Sequence, residues 1–404
     1  MAAISNSSLN NGPKKPGAMN TIALKLSQLL ISSSRSKPLV ASSKKTLLVI
    51  DDYLPFYDKS SGSKRLFELL KLFIGMDFKV IYLPEDGKAP QPYAGELQEM
   101  GIEIIAATSG KSHVDQLKER LNEFHYAWIS RPTLNKKYQK ILNKNTKTIF
   151  DTVDLHYLRM LRQAENEGNE KLKRRALKTK KLELALALNS HATVTVTGIE
   201  KDILEREGIE HVFVIPNVHF LNPNNKNTPF EERKGILFIG GYKHEPNVDA
   251  VKWLVEEIMP KVWATDPSIH LTLLGSDPSE ELLAYNSDRV SVPGYLQKVA
   301  DYFYENRIFV APLRYGAGMK GKIGQSMEYG LPVVSTSIGV EGMDLIDGHN
   351  VLVAESTNDF ANRILQLYQN PELWSSIKNN SIKAIEDYSP AEVTKKLDKL
   401  FKTL

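Results

Sequence analysis

Two lysines, Lys320 and Lys322, follow a turn that reads Gly316-Ala317-Gly318. The turn comes directly after an apolar run, Ile308-Phe309-Val310-Ala311-Pro312. The lysines open an amphipathic stretch that ends at a second apolar run, Leu331-Pro332-Val333-Val334. This order reads strand, glycine turn, helix, strand, with the helix beginning near Met319. Gly316 and Gly318 let the backbone take positive φ and leave amide hydrogens uncovered. A helix start adds unpaired N–H groups and the positive end of its dipole. That dipole disfavours cations in the first turn, so two lysines there imply an anion between them. The chemistry is recognition of a phosphate or diphosphate. The spacing is not that of a Walker loop, and on the local string alone a plain βα turn with solvated lysines is the alternative.

The rest of the chain must position this loop. Its 404 residues suit two α/β domains, and 42% hydrophobic with 25% charged residues allows a sizeable core. A net charge of +4 is too mild to indicate nucleic acid, and the absence of cysteine excludes disulfides and thiolate metal sites. Residues 1–44 read as a flexible polar tail around one short amphipathic piece at 21–31. Strands at 45–52, 79–84, 102–105, 126–130, 147–151, 192–196 and 212–215 alternate with helices, including a charged helical stretch over 157–189. This is the pattern of a parallel, doubly wound sheet. The polar, turn-rich segment 217–229 reads as a linker. A second βα series fills 230–404, and its last helix, 390–402, is a candidate to pack back on the first domain. Two such domains, 45–216 and 230–404, place a cleft between the carboxyl ends of two sheets, where ligands of open α/β sheets bind.

With that order in hand, the motifs resemble the retaining GT-B glycosyltransferases, in particular glycosyltransferase family 4. In the C-terminal half the resemblance rests on Leu237-Phe-Ile-Gly-Gly241, His244-Glu-Pro-Asn-Val-Asp-Ala250, Leu273-Leu-Gly275, Pro293-Gly-Tyr-Leu296, Gly316 to Val334, and Gly339-Val-Glu-Gly-Met343. In the N-terminal half it rests on Asp51-Asp52, Ser61-Gly-Ser63 with Arg65, Ser130-Arg-Pro132, and Asp151-Thr-Val-Asp-Leu-His-Tyr-Leu-Arg159. The implied fold is α/β, two Rossmann-like doubly wound domains facing a cleft. The implied reaction moves a sugar from a nucleotide-diphosphate sugar to an acceptor hydroxyl, with retention and without an essential metal or other cofactor.

The resemblance assigns donor binding to Gly62, Ser63, Gly240, Gly241, His244, Gly275, Tyr295, Leu296, Gly316, Ala317, Gly318, Met319, Lys320, Lys322, Gln325 and Glu341. It makes Lys320 the first candidate to stabilise the leaving diphosphate and His156 the candidate for contact with the reacting sugar. Asp154 either orients His156 or binds the acceptor hydroxyl. The simplest alignment puts Val153 where relatives hold histidine. Arg131 and Arg159 are acceptor-side cations or salt-bridge partners. The family commonly carries a Glu-x₇-Glu pair here, and by register those places fall to Ala317 and Gln325, so both carboxylates are missing. Lys243, His244 or Lys320 is a candidate to restore positive charge that relatives carry after the first donor-domain strand. Glu328 reads as a helix-surface residue rather than a catalytic one.

The partners implied are a nucleotide-sugar donor and a glycan or lipid-linked acceptor, in surface polysaccharide synthesis, with no nucleic acid. The cationic run 171–181 reads as a solvated face, with peripheral membrane contact as its alternative. The expected location is cytoplasmic, including the inner face of the membrane. A catalytically silent nucleotide-sugar or glycan-binding module is the competing function, motivated by Ala317 and Gln325.

Overall fold

The structure, a computed structural model, describes residues 44–221 and 228–404. The expected tail and its amphipathic piece at 21–31 fall within residues 1–43, outside the described residues. The apolar runs fold into two sheets. The first contains β1 (Thr46–Asp51), β2 (Lys79–Pro84), β3 (Glu103–Ile104), β4 (Tyr126–Ser130), β5 (Lys147–Asp151), β6 (Ala192–Thr195) and β7 (Val212–Val214). The second contains β8 (Ile236–Ile239), β9 (Leu271–Leu274), β10 (Val290–Gly294), β11 (Ile308–Ala311), β12 (Val333–Ser335) and β13 (Leu352–Val353). Their orders are 3-2-1-4-5-6-7 and 10-9-8-11-12-13, and every pairing between strands is parallel.

Both sheets therefore reverse their winding beside their first strand, between β1 and β4 and between β8 and β11. A reversal opens a crevice at the carboxyl ends of the strands. The residues leaving those ends, Asp51, Arg131, Gly240 and the loop after Ala311, stand at the two crevices. Near-continuous apolar strands such as Leu47-Leu48-Val49-Ile50, all fully buried, are what a sheet covered on both faces requires.

Three departures from the sequence reading have local causes. The stretch 157–189 is two helices, His156–Glu167 and Glu170–Leu188, because Gly168 takes φ 64° and ends the first. The helix at the phosphate loop begins at Gly321, not near Met319. The segment expected to be a polar linker starts buried: Asn217, Val218 and His219 are only 6%, 2% and 3% exposed. The last helix, Pro390–Thr403, buries Val393, Leu397 and Leu400 in the core of the first domain beside Leu47, Leu66 and Phe73. Phe401 meets the rings of Phe73, Phe78 and Tyr126 there. No helix among the described residues is long and apolar enough to cross a membrane.

The two domains touch along the helix Gly321–Glu328. A Cβ on Gly321 would lie 2.7 Å from Ser61 Cβ, and one on Gly324 would lie 2.2 Å from His219 Nε2. Only the missing side-chain atoms permit this approach. At the far end of the helix Glu328, 8% exposed, is no surface residue. Its carboxylate accepts from His219 Nδ1 at 2.6 Å, from the Phe220 N–H at 3.3 Å, and from Lys64 Nζ at 3.3 Å. Burial raises its pKa, but the His219 hydrogen bond and charge outweigh that and hold it below the ordinary value.

Gly324→Ala is expected to destabilise the protein by about 1–3 kcal/mol through overpacking against His219, read as a lower urea midpoint. A midpoint equal to wild type would show that the two domains do not rest on this face.

Candidate active site

The second domain contributes a glycine turn and a helix start. Gly316 (φ 159°) is extended, whereas Gly318 (φ 68°) is left-handed and packs against the first domain. A Cβ on Gly318 would fall 3.0 Å from Asp154 Cβ. The N–H groups of Ala317, Gly318 and Met319 have no acceptor among the described residues. They lead into the N-terminus of Gly321–Glu328, where Lys320 occupies the cap position.

Lys320 is 9% exposed, and its Nζ donates to the Gly318 carbonyl at 2.8 Å. Burial pushes its amine down to about 8, against the opposing pull of Glu341. Lys322 is not the solvated helix lysine of the local reading. Its Nζ turns inward, donating to Asn247 Oδ1 at 2.6 Å over the face of Phe238 at 4.4 Å. Burial lowers it to about 7, with no carboxylate partner. A desolvated amine without a carboxylate gains most from an anion brought to it.

The first domain contributes the turn after β5. Asp151 is buried and accepts from Arg65 Nη1 at 2.7 Å and from Trp128 Nε1 at 2.9 Å, which fixes the strand end. Val153 then takes φ 65°, a conformation costly for a β-branched residue. Two buried glutamates grip the following helix start. Glu200 accepts from the Leu155 N–H at 2.9 Å, and Glu183 accepts from those of His156 and Tyr157 at 3.0 and 2.9 Å. Desolvation raises each glutamate to about 7. Asp154 is held between Arg159 Nε at 2.7 Å and His156 Nε2 at 3.2 Å. Burial opposes its ionisation, but the Arg159 charge and the His156 hydrogen bond hold its carboxyl far below the ordinary range.

These parts face one another across a cleft of about 620 Å³ lined from both domains. Gly62, Gly240, Gly241, His244, Gly275, Tyr295, Leu296, Ala317, Lys320, Lys322 and Gln325 line it, as do the rest of 316–319, Asp154, Arg131 and Arg159. Three candidates do not. Ser63 is 3% exposed and spends its N–H and hydroxyl on Ser60, the cap of the helix Ser61–Gly75. Glu341 is engaged by Arg162 Nη1 and Nη2 at 3.0 and 2.7 Å. His156 lies behind Asp154 rather than on the cleft wall, where Val153 stands instead.

Of the three residues considered for the missing positive charge, Lys243 and His244 do not restore it. Lys243 points to solvent and pairs with Asp277 at 3.2 Å. His244 lines the cleft, where desolvation, with Arg159 and Lys322 nearby, lowers its imidazole to about 4. Arg131 lines the cleft as a salt-bridge partner, with Nε 2.7 Å from Asp51 and 3.1 Å from Asp52. Burial lowers its pKa, and those carboxylates more than reverse the effect. Sequence reasoning missed Tyr53, Tyr57, Asp58, Asn217 and Arg162. Asn217 was placed in the linker, yet its side chain is buried at the cleft with Nδ2 unpaired. The others gave no motif signal, since what marks them is proximity across the domains.

Residues 233–370, the stretch that carries the glycine turn and both lysines, match the family model described as Glycosyl transferases group 1. An uncharacterized 44.6 kDa protein in the cps region of Klebsiella pneumoniae is 29% identical over 164 residues, which is 38% of this chain and 42% of that relative. Among solved structures, S. aureus TarM aligns with a TM-score of 0.71 at 13% identity, covering 89% of this chain and 99% of TarM. Sucrose-phosphate synthase from Thermosynechococcus elongatus aligns with a TM-score of 0.67 at 15% identity, covering 89% and 98%. These likenesses establish the fold as GT-B.

The lysine environment of the second domain sets a pH dependence. Amines lowered to about 8 and about 7 are cationic below those values and neutral above them. Affinity for a nucleoside diphosphate is therefore expected to be greatest near pH 6.5 and to weaken as pH rises toward 9. Lys322→Gln is expected to flatten the lower part of that profile. A profile in calorimetry that is level from pH 6.5 to 9 in wild type would contradict this charge assignment.

Proposed function

We propose that this protein is a retaining glycosyltransferase that moves a sugar from a UDP- or GDP-linked donor to a hydroxyl of a glycan or lipid-linked acceptor. The observation that carries the reading is the convergence of three uncommitted N–H groups, a helix N-terminus and two desolvated lysines on one point of an interdomain cleft. Such donors stabilise most the charge that grows on a departing diphosphate, which is how a site lowers a barrier rather than only binding substrate. In this reading the cations and amides perform the charge stabilisation without an essential metal or other cofactor. Asp154, held ionised by Arg159 and His156, faces the reacting sugar from the first domain. The acceptor's proton leaves on the diphosphate oxygen that departs, so no separate base is required. A TarM structure contains UDP and alpha-GlcNAc-glycerol, which favours uridine and a hydroxyl acceptor.

Surface polysaccharide synthesis is the proposed setting, in keeping with the relative from a cps region. The proposed location is cytoplasmic, at the inner face of the membrane. The helix Glu170–Leu188 supports it by exposing Lys171, Arg174, Arg175, Lys178 and Lys181 together with Leu177. A second reading keeps the fold without turnover. Ala317 and Gln325 both line the cleft, so the donor sugar meets no carboxylate at either place.

A thermal-shift screen of nucleoside diphosphates, followed by turnover with the matching nucleotide sugars, tests both readings. Binding with sugar release or transfer supports the enzyme, and binding with no turnover on any donor supports the silent module. Lys320→Ala is expected to weaken UDP binding by at least about ten-fold and by more than Lys322→Ala does. Equal affinity in wild type and the Lys320 variant would remove Lys320 from the diphosphate site. His156→Ala is expected to lower turnover while leaving UDP affinity intact, since the imidazole acts through Asp154.

A further inference from the structure

Arg162 belongs to the first domain, yet three of its hydrogen bonds end in the second. Nη1 donates to the Gly316 carbonyl at 2.7 Å and to Glu341 Oε1 at 3.0 Å, and Nη2 donates to Glu341 Oε2 at 2.7 Å. Both side chains are largely covered, with 21% and 11% of their surfaces exposed. A bidentate guanidinium–carboxylate pair is rigid, so the cation is held in place rather than sampling the carbonyl occasionally.

The Gly316 carbonyl shares a peptide group with the N–H of Ala317. In a trans peptide the two bonds point in opposite directions. A guanidinium on the oxygen therefore leaves the N–H aimed away from Arg162, and Ala317 is a cleft-lining residue. A cation bonded to the oxygen also polarises the whole group and makes its N–H a stronger donor. Ala317 stands where a carboxylate was expected, so at this point of the cleft only the backbone is left to hold the donor.

We propose that Arg162 is a positioning residue that reaches across the domain contact to fix and polarise the 316–317 peptide, so that the Ala317 N–H holds the donor sugar or its adjoining phosphate. The donor-side amide is thereby aimed by a residue of the opposite domain. Glu341 serves this arrangement by holding the guanidinium rather than by binding nucleotide. The proposal rests on the glycosyltransferase reading only for its catalytic consequence. The pinning of the loop stands independently of that reading.

Two measurements test it. Backbone 15N relaxation on the ligand-free protein reads the loop directly: in Arg162→Ala the order parameters across 316–320 are expected to fall below about 0.6 while those of the sheets stay as in wild type. Unchanged order parameters in that segment would overturn the proposal whether or not the protein is an enzyme. A general fall through both sheets would overturn it too, by making Arg162 a folding residue. Turnover of a UDP-sugar accepted by wild type is the second readout. Arg162→Ala is expected to lower kcat by about 100-fold, with UDP affinity kept within about three-fold. Arg162→Lys, which keeps one donor to Gly316 but loses the fork, is expected to recover part of that rate. A wild-type kcat in Arg162→Ala, or an equal loss of UDP affinity, would refute the role. If wild type turns over no donor, the enzyme reading fails while the relaxation result still decides the loop.

Discussion

The cleft exists in this form because Gly321 and Gly324 put no side-chain atoms on one face of the helix Gly321–Glu328. The backbone of that helix consequently lies against Ser61 and the ring of His219, closer than any larger residue would allow. The same helix carries its N-terminus at the cleft and Glu328 at the domain contact. One element thus sets both the distance between the domains and the direction of the helix dipole in the cleft. A helix placed an ångström further out would weaken the Glu328 contacts and withdraw its N–H groups from the cleft together.

Electrostatically the cleft holds two desolvated lysines that no carboxylate among the described residues pairs. Lys322 is desolvated with only an amide oxygen for company, and Lys320 spends its proton on a backbone carbonyl. The carboxylates nearest them are already engaged: Glu341 by Arg162, Asp154 by Arg159, and Glu200 by a helix N-terminus. Each acid that would otherwise neutralise a lysine is tied to another cation or to backbone N–H groups. That arrangement keeps the lysines available, and their lowered proton affinity is the physical sign of it.

The framework of the fold was legible because apolar runs of four to six residues between turn residues can only be buried strands. The glycine turn and Lys320 were legible as cleft residues because a glycine turn between strand and helix marks a strand's carboxyl end. Lys322 was harder, since moving the helix start from Met319 to Gly321 turns it from the solvent side to Asn247. Arg162 and Asp58 left no trace in their local strings. Arg162 bonds residues more than 150 positions away, and Asp58 accepts from Tyr295 at 2.5 Å across the cleft. His156 was misread for a related reason: a histidine beside an aspartate in sequence says nothing about which of them reaches the cleft wall.

The chain passes between the domains twice, once through 215–221 and again just before Pro390–Thr403. The two passages run side by side, with the His219 N–H bonded to the Tyr388 carbonyl at 2.9 Å. A pair of adjacent crossings behaves like a door on two pins. It permits swinging about one line and resists twisting about the others. Contacts set away from that line, Arg162 with Glu341 and Asp58 with Tyr295, then have the longest travel and act as the latch, while Glu328 and His219 lie at the pivot.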